Sequence, residues 1–201
     1  IEASRLALRY NVPVILLTDG YLANGAEPFR IPDVADLPKL SWPTYEGSSE
    51  DYQGYARNED GARPWVPAGT EGLHHRVGGL EKADGTGNIS YDPDNHQLMT
   101  DLRAAKVANI AKDLPALEIN GADSGDLLVV GWGGTWGAIT TAVNTMKAAG
   151  KAVSSVHIRH LNPLPADLGD ILARFDKVAV AELNNGQLIK MIRAVYLVDA
   201  K

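Results

Sequence analysis

The chain has 201 residues, a formal net charge of -6 and no cysteine. This length suffices for one large domain with attachments, and the acidic balance argues against a nucleic-acid-binding surface. Without cysteine, the chain's own side chains form no disulfide, no zinc–thiolate site and no ligand set for an iron–sulfur cluster. The longest apolar runs have the length of strands, so we expect no membrane span and a soluble, cytoplasmic protein.

The N-terminal part of the sequence predicts a helix, a strand and then a long irregular segment. The first ten residues enter a helical pattern directly, without an initiator methionine, which indicates a piece of a longer protein. Residues 12–18 (VPVILLT) predict the strand, which ends at Asp19-Gly20. From 28 to 67, six prolines lie among scattered aromatic residues. We expect this connector to pack on a partner or on a domain outside this stretch, since its aromatic side chains would otherwise be exposed.

The middle of the chain predicts a ribbon followed by a helix. Residues 69–90 are rich in glycine, with turn signals at Gly78-Gly79 and Asp84-Gly85, and are typical of a two-stranded ribbon. Asp92 suits the N-cap of a helix and Pro93 its first position, so a helix is predicted through about residue 113. Its predicted apolar stripe comprises Leu98, Leu102 and Ala105.

Residues 126–165 give the clearest signal of fold class. An apolar run at 127–130 predicts a buried strand, a glycine turn follows, and an amphipathic helix ends at Gly150, which suits a left-handed cap. The helix stripe is Trp136, Ile139, Val143 and Met146. Further strands at 153–158 and 177–183 and helices to 175 and from 187 to 199 complete the order βαβαβα. The sequence therefore predicts an α/β fold, an open and mostly parallel sheet with helices on both faces.

The glycine turn GWGGTWG has two interpretations. Its glycines at 131, 133, 134 and 137 approach the dinucleotide-binding spacing G-x-G-x-x-G, with the third glycine one residue late. A dinucleotide fold also needs an acidic residue at the end of the next strand, and residues 158–161 (IRHL) contain none. Two indoles, Trp132 and Trp136, crowd the turn. A tight turn that packs helix on sheet is therefore favoured over a nucleotide site.

Histidines offer only weak candidates for metal binding. His74 and His75 are adjacent in a glycine-rich loop, which favours a surface or substrate-facing loop over a metal site. His157 and His160 are three apart in a predicted strand, which sends their side chains to opposite faces of a sheet. The spacing therefore argues against chelation of one ion by this pair.

Two acidic segments have a simpler interpretation than ligand binding. Asp92, Asp94 and His96 match the start of a calcium loop, but residues 97 and 103 are Gln and Arg where the loop needs Gly and Glu. Residues 182–187 (ELNNGQ) lie where a parallel strand ends and a helix begins, a common place for ligands. Capping of the helix by Asn and Gly is favoured there over ligand contact. No nucleophile elbow G-x-S-x-G occurs, and composition alone does not establish a catalytic triad. We therefore assign no catalytic residue and no metal site in this chain, and leave its cofactor-binding residues open.

Several blocks taken in order resemble one family. They are VPVILLTDGYLANGAEPFRIPD (12–33), SYDPDNHQLMTDLRAAK (90–106), IRHLNPLP (158–165) and VAVAELNNGQLIKMIRAVYLVD (178–199). The chain resembles the α subunits of 2-oxoacid:ferredoxin oxidoreductases, most closely the 2-oxoglutarate type. The resemblance implies that residues 1–35 end a pyrimidine-binding domain, that 36–70 form an irregular connector and that 71–201 form a transketolase C-terminal-like domain.

The resemblance also implies a function for the complete enzyme. Such an enzyme decarboxylates a 2-oxoacid on thiamine diphosphate, passes electrons through iron–sulfur clusters to ferredoxin and forms an acyl-CoA. The diphosphate group of the cofactor and magnesium are expected on the partner β subunit, which also carries a cluster, and no cofactor is expected on this stretch alone. The stretch would supply assembly surface and one wall of the active-site cleft. The alternative hypothesis is an autonomous nucleotide-binding α/β module that uses residues 131–137.

Overall fold

A computed structural model describes all residues from 1 to 201 and divides the chain into two compact units. The first unit comprises Ile1–Leu16 and Pro28–Ile110, and the second comprises Leu17–Glu27 and Ala111–Lys201. The domain limits at 35 and 70 stay a prediction, because compactness within this stretch does not define the domains of a longer protein.

Six helices and four strands form the framework. The helices are α1 (Glu2–Tyr10), α2 (Gly20–Asn24), α3 (Pro93–Asn109), α4 (Trp136–Ala148), α5 (Leu168–Leu172) and α6 (Gln187–Tyr196). The strands are β1 (Ile119–Asn120), β2 (Gly125–Trp132), β3 (Val153–Ile158) and β4 (Phe175–Ala181). Short 3₁₀ turns cover Val34–Asp36, Ile110–Asp113 and Gly133–Thr135. None of the helices is both long and apolar enough to cross a membrane.

The strand predicted at residues 12–18 is not formed. These residues have no regular secondary structure and no β-bridge, and Ile15, Leu16 and Leu17 are 82%, 76% and 66% exposed. A strand requires a neighbour that pairs with its backbone N–H and C=O groups. The four strands of this chain pair only among themselves, so this apolar segment has no partner here.

Much of the predicted connector folds back on its own unit. Tyr45 packs edge-on against Tyr52 with ring centroids 4.9 Å apart, and Trp65 Nε1 donates a hydrogen bond to the carbonyl oxygen of Leu8 in α1 at 2.6 Å. The expectation that these aromatic side chains need an outside partner is therefore wrong. For Phe29 and Trp42, which are exposed, the expected contact with an outside partner stays a prediction.

The predicted ribbon is reduced to a small hairpin with the isolated bridge Lys82↔Ile89. The predicted start of α3 is confirmed, since the Asp92 side chain accepts a hydrogen bond from the Asp94 N–H at 3.1 Å. The predicted stripe is wrong, because α3 buries Met99 and leaves Leu98 and Ala105 exposed. The stem of Lys106 is half-buried against Gly61, and a long charged side chain with a covered stem gives no apolar signal in the sequence.

The second unit contains the predicted mostly parallel sheet. Its strand order is β1-β3-β2-β4, β2 pairs in parallel with both β3 and β4, and β1 is antiparallel to β3. The edge strand β1 was not predicted, because two residues carry no periodicity. The predicted last helix is too long, since α6 ends at Tyr196 where Leu197 adopts a left-handed conformation with φ 54°.

Helices cover both faces of this sheet, as predicted. On one face, α5 and α6 pack on an apolar core whose strand members are Leu128, Val130, Val156, Ile158, Phe175 and Val178. Alternate strand residues point to the opposite face, where Ile139 of α4 lies against Gly131 of β2. Helix α4 ends as predicted, with Gly150 at φ 75° and a hydrogen bond from the Lys151 N–H to the Met146 carbonyl oxygen.

Candidate functional site

The glycine turn between β2 and α4 is shaped by close packing. A Cβ atom on Gly131 would overlap Ile139 Cδ1 and lie 3.0 Å from Thr135 Oγ1. A Cβ atom on Gly134 would overlap the carboxylate of Asp19. Among the glycines of the turn, only Gly133 has a positive φ, of 58°. Close packing thus favours glycine at 131 and backbone conformation favours it at 133, whereas a methyl group at 134 would require the Asp19 carboxylate to shift.

The turn therefore has its own acidic neighbour. The Asp19 carboxylate lies beside Gly134 and accepts a hydrogen bond from the Leu22 N–H at 2.9 Å, which caps α2. A nucleotide diphosphate bound over this turn would face that negative charge at close range. The geometry favours the tight packing turn over the nucleotide site.

Residues 182–187 form a capping device at the start of α6. The Glu182 carboxylate accepts hydrogen bonds from the backbone N–H groups of Leu188 at 3.0 Å and Ile189 at 3.1 Å, and from Trp132 Nε1 at 3.2 Å. Asn184 Oδ1 accepts from the N–H groups of Gly186 and Gln187. Helix capping is the better of the two interpretations, because these acceptors are engaged by the helix itself.

The pKa of Glu182 reflects this arrangement. Burial alone would raise its pKa, but the N–H donors of Leu188 and Ile189, with Asn184 and Trp132, outweigh burial and hold the pKa below its ordinary value. Glu182 is therefore an ionised link between the end of β2 and the start of α6.

The adjacent histidines of the first unit separate. His75 is half-buried, with Nδ1 3.0 Å from the hydroxyl of Tyr52, whereas His74 is exposed. His96, in the acidic segment at the start of α3, contacts Glu81 at 2.6 Å. Nowhere do three His, Asp or Glu side chains gather as a metal site would require.

A cavity of about 470 Å³ lies in the second unit between β1, β3 and the first turn of α4. His157, Arg159 and His160 line it, together with Trp136. The prediction that His157 and His160 lie on opposite faces is wrong, because β3 ends at Ile158 and strand alternation does not extend to His160. Sequence reasoning missed the cavity because its wall includes β1 and the residues before it, which carry no motif.

His157 is an unusual member of this wall. Its Nδ1 atom is buried and has no hydrogen-bond partner. Burial, assisted by the Arg159 charge, lowers the pKa of His157 below the ordinary histidine value. The imidazole is therefore neutral near pH 7.

No known protein-family model matches the chain. The chain is 47% identical over 203 aligned residues to the 2-oxoglutarate oxidoreductase subunit KorA of Mycobacterium tuberculosis, covering 100% of this chain and 31% of the relative. It is 28% identical over 201 residues to the α subunit of 2-oxoacid:ferredoxin oxidoreductase 1 of Aeropyrum pernix, covering 96% of this chain and 31% of that subunit.

A solved structure is also similar. It is a 2-oxoglutarate:ferredoxin oxidoreductase from Magnetococcus marinus with 2-oxoglutarate, coenzyme A and succinyl-CoA bound, and it matches with a TM-score of 0.86 and 33% identity. The match covers 94% of this chain and 33% of that one, so the chain spans about a third of the length of these relatives. The sequence blocks, the mostly parallel sheet and these comparisons together show that the chain is similar along its whole length to α subunits of 2-oxoacid:ferredoxin oxidoreductases.

Proposed function

We propose that this chain is part of a cytoplasmic, CoA-acylating 2-oxoacid:ferredoxin oxidoreductase with 2-oxoglutarate as its oxoacid. The complete enzyme would oxidatively decarboxylate the oxoacid to an acyl-CoA and transfer the electrons to ferredoxin. The observation that carries the proposal is the 47% identity along the whole chain to a 2-oxoglutarate oxidoreductase subunit.

The proposed cofactors belong to the complete enzyme. Thiamine diphosphate supplies the decarboxylation chemistry in that proposal, and iron–sulfur clusters carry electrons. This chain has no cysteine to ligate a cluster and no group of three His, Asp or Glu side chains to hold magnesium. In the proposal, the partner β subunit holds the diphosphate group, magnesium and a cluster, and we derive no chemical step from residues of this chain.

The proposed contribution of this chain is surface for assembly and for one wall of the cleft. The segment from 12 to 34 supports this role, since it carries a dense set of exposed apolar side chains. They are Ile15, Leu16, Leu17, Tyr21, Leu22, Phe29, Ile31 and Val34, each at least 65% exposed. Exposed apolar surface of this extent marks a site of contact. We propose that the remainder of the α subunit covers residues 12–18 and pairs with them as a strand, within the proposed pyrimidine-binding domain.

Hydrogen exchange tests this proposal directly. The backbone amides of residues 14–18 should exchange rapidly in the isolated chain and become protected in the full-length α subunit without the β subunit. The amides of β2 serve as the internal control, because they are paired on both sides in this chain. Equal exchange of 14–18 in both proteins would contradict strand completion by the α subunit.

An activity measurement tests the enzymatic part. The isolated chain should not reduce a dye with 2-oxoglutarate, whereas the complete enzyme should do so in the presence of CoA. A panel of 2-oxoglutarate, pyruvate and branched 2-oxoacids then ranks the substrates of the complete enzyme. Activity of the isolated chain, or a strong preference for pyruvate, would contradict the proposal as stated.

The alternative of an autonomous nucleotide-binding module has a separate test. Calorimetric titration of the chain with NAD, NADP and CoA should give no heat that depends on the glycine turn. The variant Gly134→Ala would displace the Asp19 carboxylate, and Gly137→Ala is the control, because it has open space around the new methyl group and no positive φ. Binding of NAD, NADP or CoA that Gly134→Ala abolishes and the control variant keeps would support the nucleotide-binding module.

A further inference from the structure

The proposed oxidoreductase function assigns no role to the residues that line the cavity beside α4. Its volume of about 470 Å³ falls within the usual range for small-molecule sites. We propose that this cavity binds a small monocarboxylate with an aromatic or branched apolar body. The lining of the cavity combines one permanently cationic side chain, imidazole groups and apolar side chains.

The charges of the lining favour a single carboxylate. Arg159 is the one permanently cationic side chain of the wall, and Glu118 is its one acidic side chain. A guanidinium binds a carboxylate through two parallel hydrogen bonds, and its five N–H groups allow it to do so in addition to other contacts. A phosphate monoester would bring about two negative charges close to Glu118 against one permanent cation, which disfavours it.

His157 adds a neutral donor to the wall. Its Nδ1 atom is buried without a partner, so a proton on Nδ1 would be a buried N–H group without an acceptor. The neutral tautomer with its proton on Nε2 avoids that cost, and the lowered pKa of His157 agrees with a neutral ring. His157 therefore offers an Nε2–H group to the carboxylate, while Arg159 supplies the charge.

Part of the wall is apolar. Trp136 of α4 lines the cavity and is 60% exposed, an unusual degree for an indole. Leu117, Ile119 and Ile139 also line the cavity. An aromatic ring can stack on the indole, and a branched apolar chain can displace water from the aliphatic side chains.

Photo-cross-linking in the full-length α subunit tests the proposal. The probe is a phenylacetate that carries a photoreactive diazirine on its ring, and mass spectrometry of peptides locates the label. We expect labelling within residues 115–120, 136–140 or 155–160. Phenylacetate should compete with the probe at least tenfold better than phenylacetamide, which has the same shape without the charge. Label confined to other segments, or equal competition by the acid and the amide, would overturn the proposal.

Matched variants sharpen the test. Arg159→Gln should reduce specific labelling at least about tenfold, because hydrogen bonds to charged groups carry a tenfold or larger effect on affinity. Arg174→Gln changes an exposed arginine outside the cavity and should leave labelling unchanged. Trp136→Ala should weaken labelling while preserving the preference for acid over amide. Unchanged labelling in folded Arg159→Gln protein would also overturn the proposal, and the acid–amide comparison in the unaltered protein decides if that variant does not fold.

Discussion

On one face of the sheet in the second unit, Leu128, Val130, Val156, Ile158 and Val178 are all less than 5% exposed beneath α5 and α6. The other face carries Ser155, His157 and Gly131 beneath the single helix α4, and a cavity opens at its edge. Neighbouring residues of the same strands build both faces, because side chains alternate along a strand. The strands thus carry a dense apolar core on one side and polar groups on the other.

Stability and the proposed binding site lie on different faces of the sheet in this unit. Apolar burial stabilises a fold roughly in proportion to the area removed from water, and the α5 and α6 face supplies most of that area here. The α4 face contains a buried imidazole nitrogen without a hydrogen-bond partner, which reduces stability. The proposed carboxylate site lies on this face, away from the dense core.

The largest expected effect comes from shortening a side chain in the dense core. Ile192→Ala should lower the free energy of unfolding by about 2–5 kcal/mol, because Ile192 is fully buried in α6. Ile139→Ala on the α4 face should cost about half as much, since Ile139 borders a cavity and already lacks some neighbours. Urea unfolding monitored by circular dichroism measures both. Equal losses would contradict the difference between the faces.

A methyl group added to the α4 face should have the next largest effect. Gly131→Ala should cost about 1–3 kcal/mol, because the new methyl group would overlap Ile139 Cδ1 in a packed interface. Ile139→Val removes that atom, so the double variant should lose less stability than the sum of the two single variants. The double-mutant cycle is measured by urea unfolding. Additive losses would show that Gly131 is not required by packing.

The fold of the second unit was largely predictable from the sequence. Strand β3 was predicted at its observed limits because turn residues bound an apolar run, and Gly150 identified the end of α4. The prediction of a strand at residues 12–18 failed for a physical reason. The sequence of these residues has strong β-propensity, but a strand also needs a pairing neighbour, which a local pattern cannot supply.

The candidate site was much less predictable. The capping role of residues 182–187 was predictable from local chemistry, since Asn and Gly are favoured in turns. The cavity depends on β1, a two-residue strand, and on the register that places it beside β3. Neither leaves a pattern in the sequence. The role of Asp19 was also hidden, because it depends on a contact with Gly134, more than a hundred residues away in the chain.

A smaller effect on the free energy of unfolding is expected from Glu182, which accepts hydrogen bonds at the start of α6. Glu182→Ala should cost about 0.5–2 kcal/mol, as for loss of a helix cap, because two N–H groups of α6 and the Trp132 indole lose their acceptor. The folded-state pKa of Glu182 is lowered, so its stabilising effect is full above the ordinary value of 4.5 and is lost as the pH falls through the folded value. Glu182→Gln should lack this acid-dependent loss. Urea unfolding at several acidic pH values measures this loss of stability. Parallel pH profiles for the unaltered protein and Glu182→Gln would contradict the role of the Glu182 carboxylate.

The smallest expected effect concerns His157 on the α4 face. The folded chain disfavours its protonated form, so below the ordinary pKa of 6.5 the unfolded chain binds more protons and stability falls as the pH decreases. His157→Gln cannot titrate and should lose less stability between pH 7.5 and pH 5.5 than the unaltered protein. Arg159→Gln should give an intermediate loss, because the Arg159 charge is the lesser cause of the lowered pKa and burial remains. Urea unfolding at the two pH values measures all three proteins. If His157→Gln lost as much stability as the unaltered protein, the buried imidazole would not be the group through which acid weakens this face.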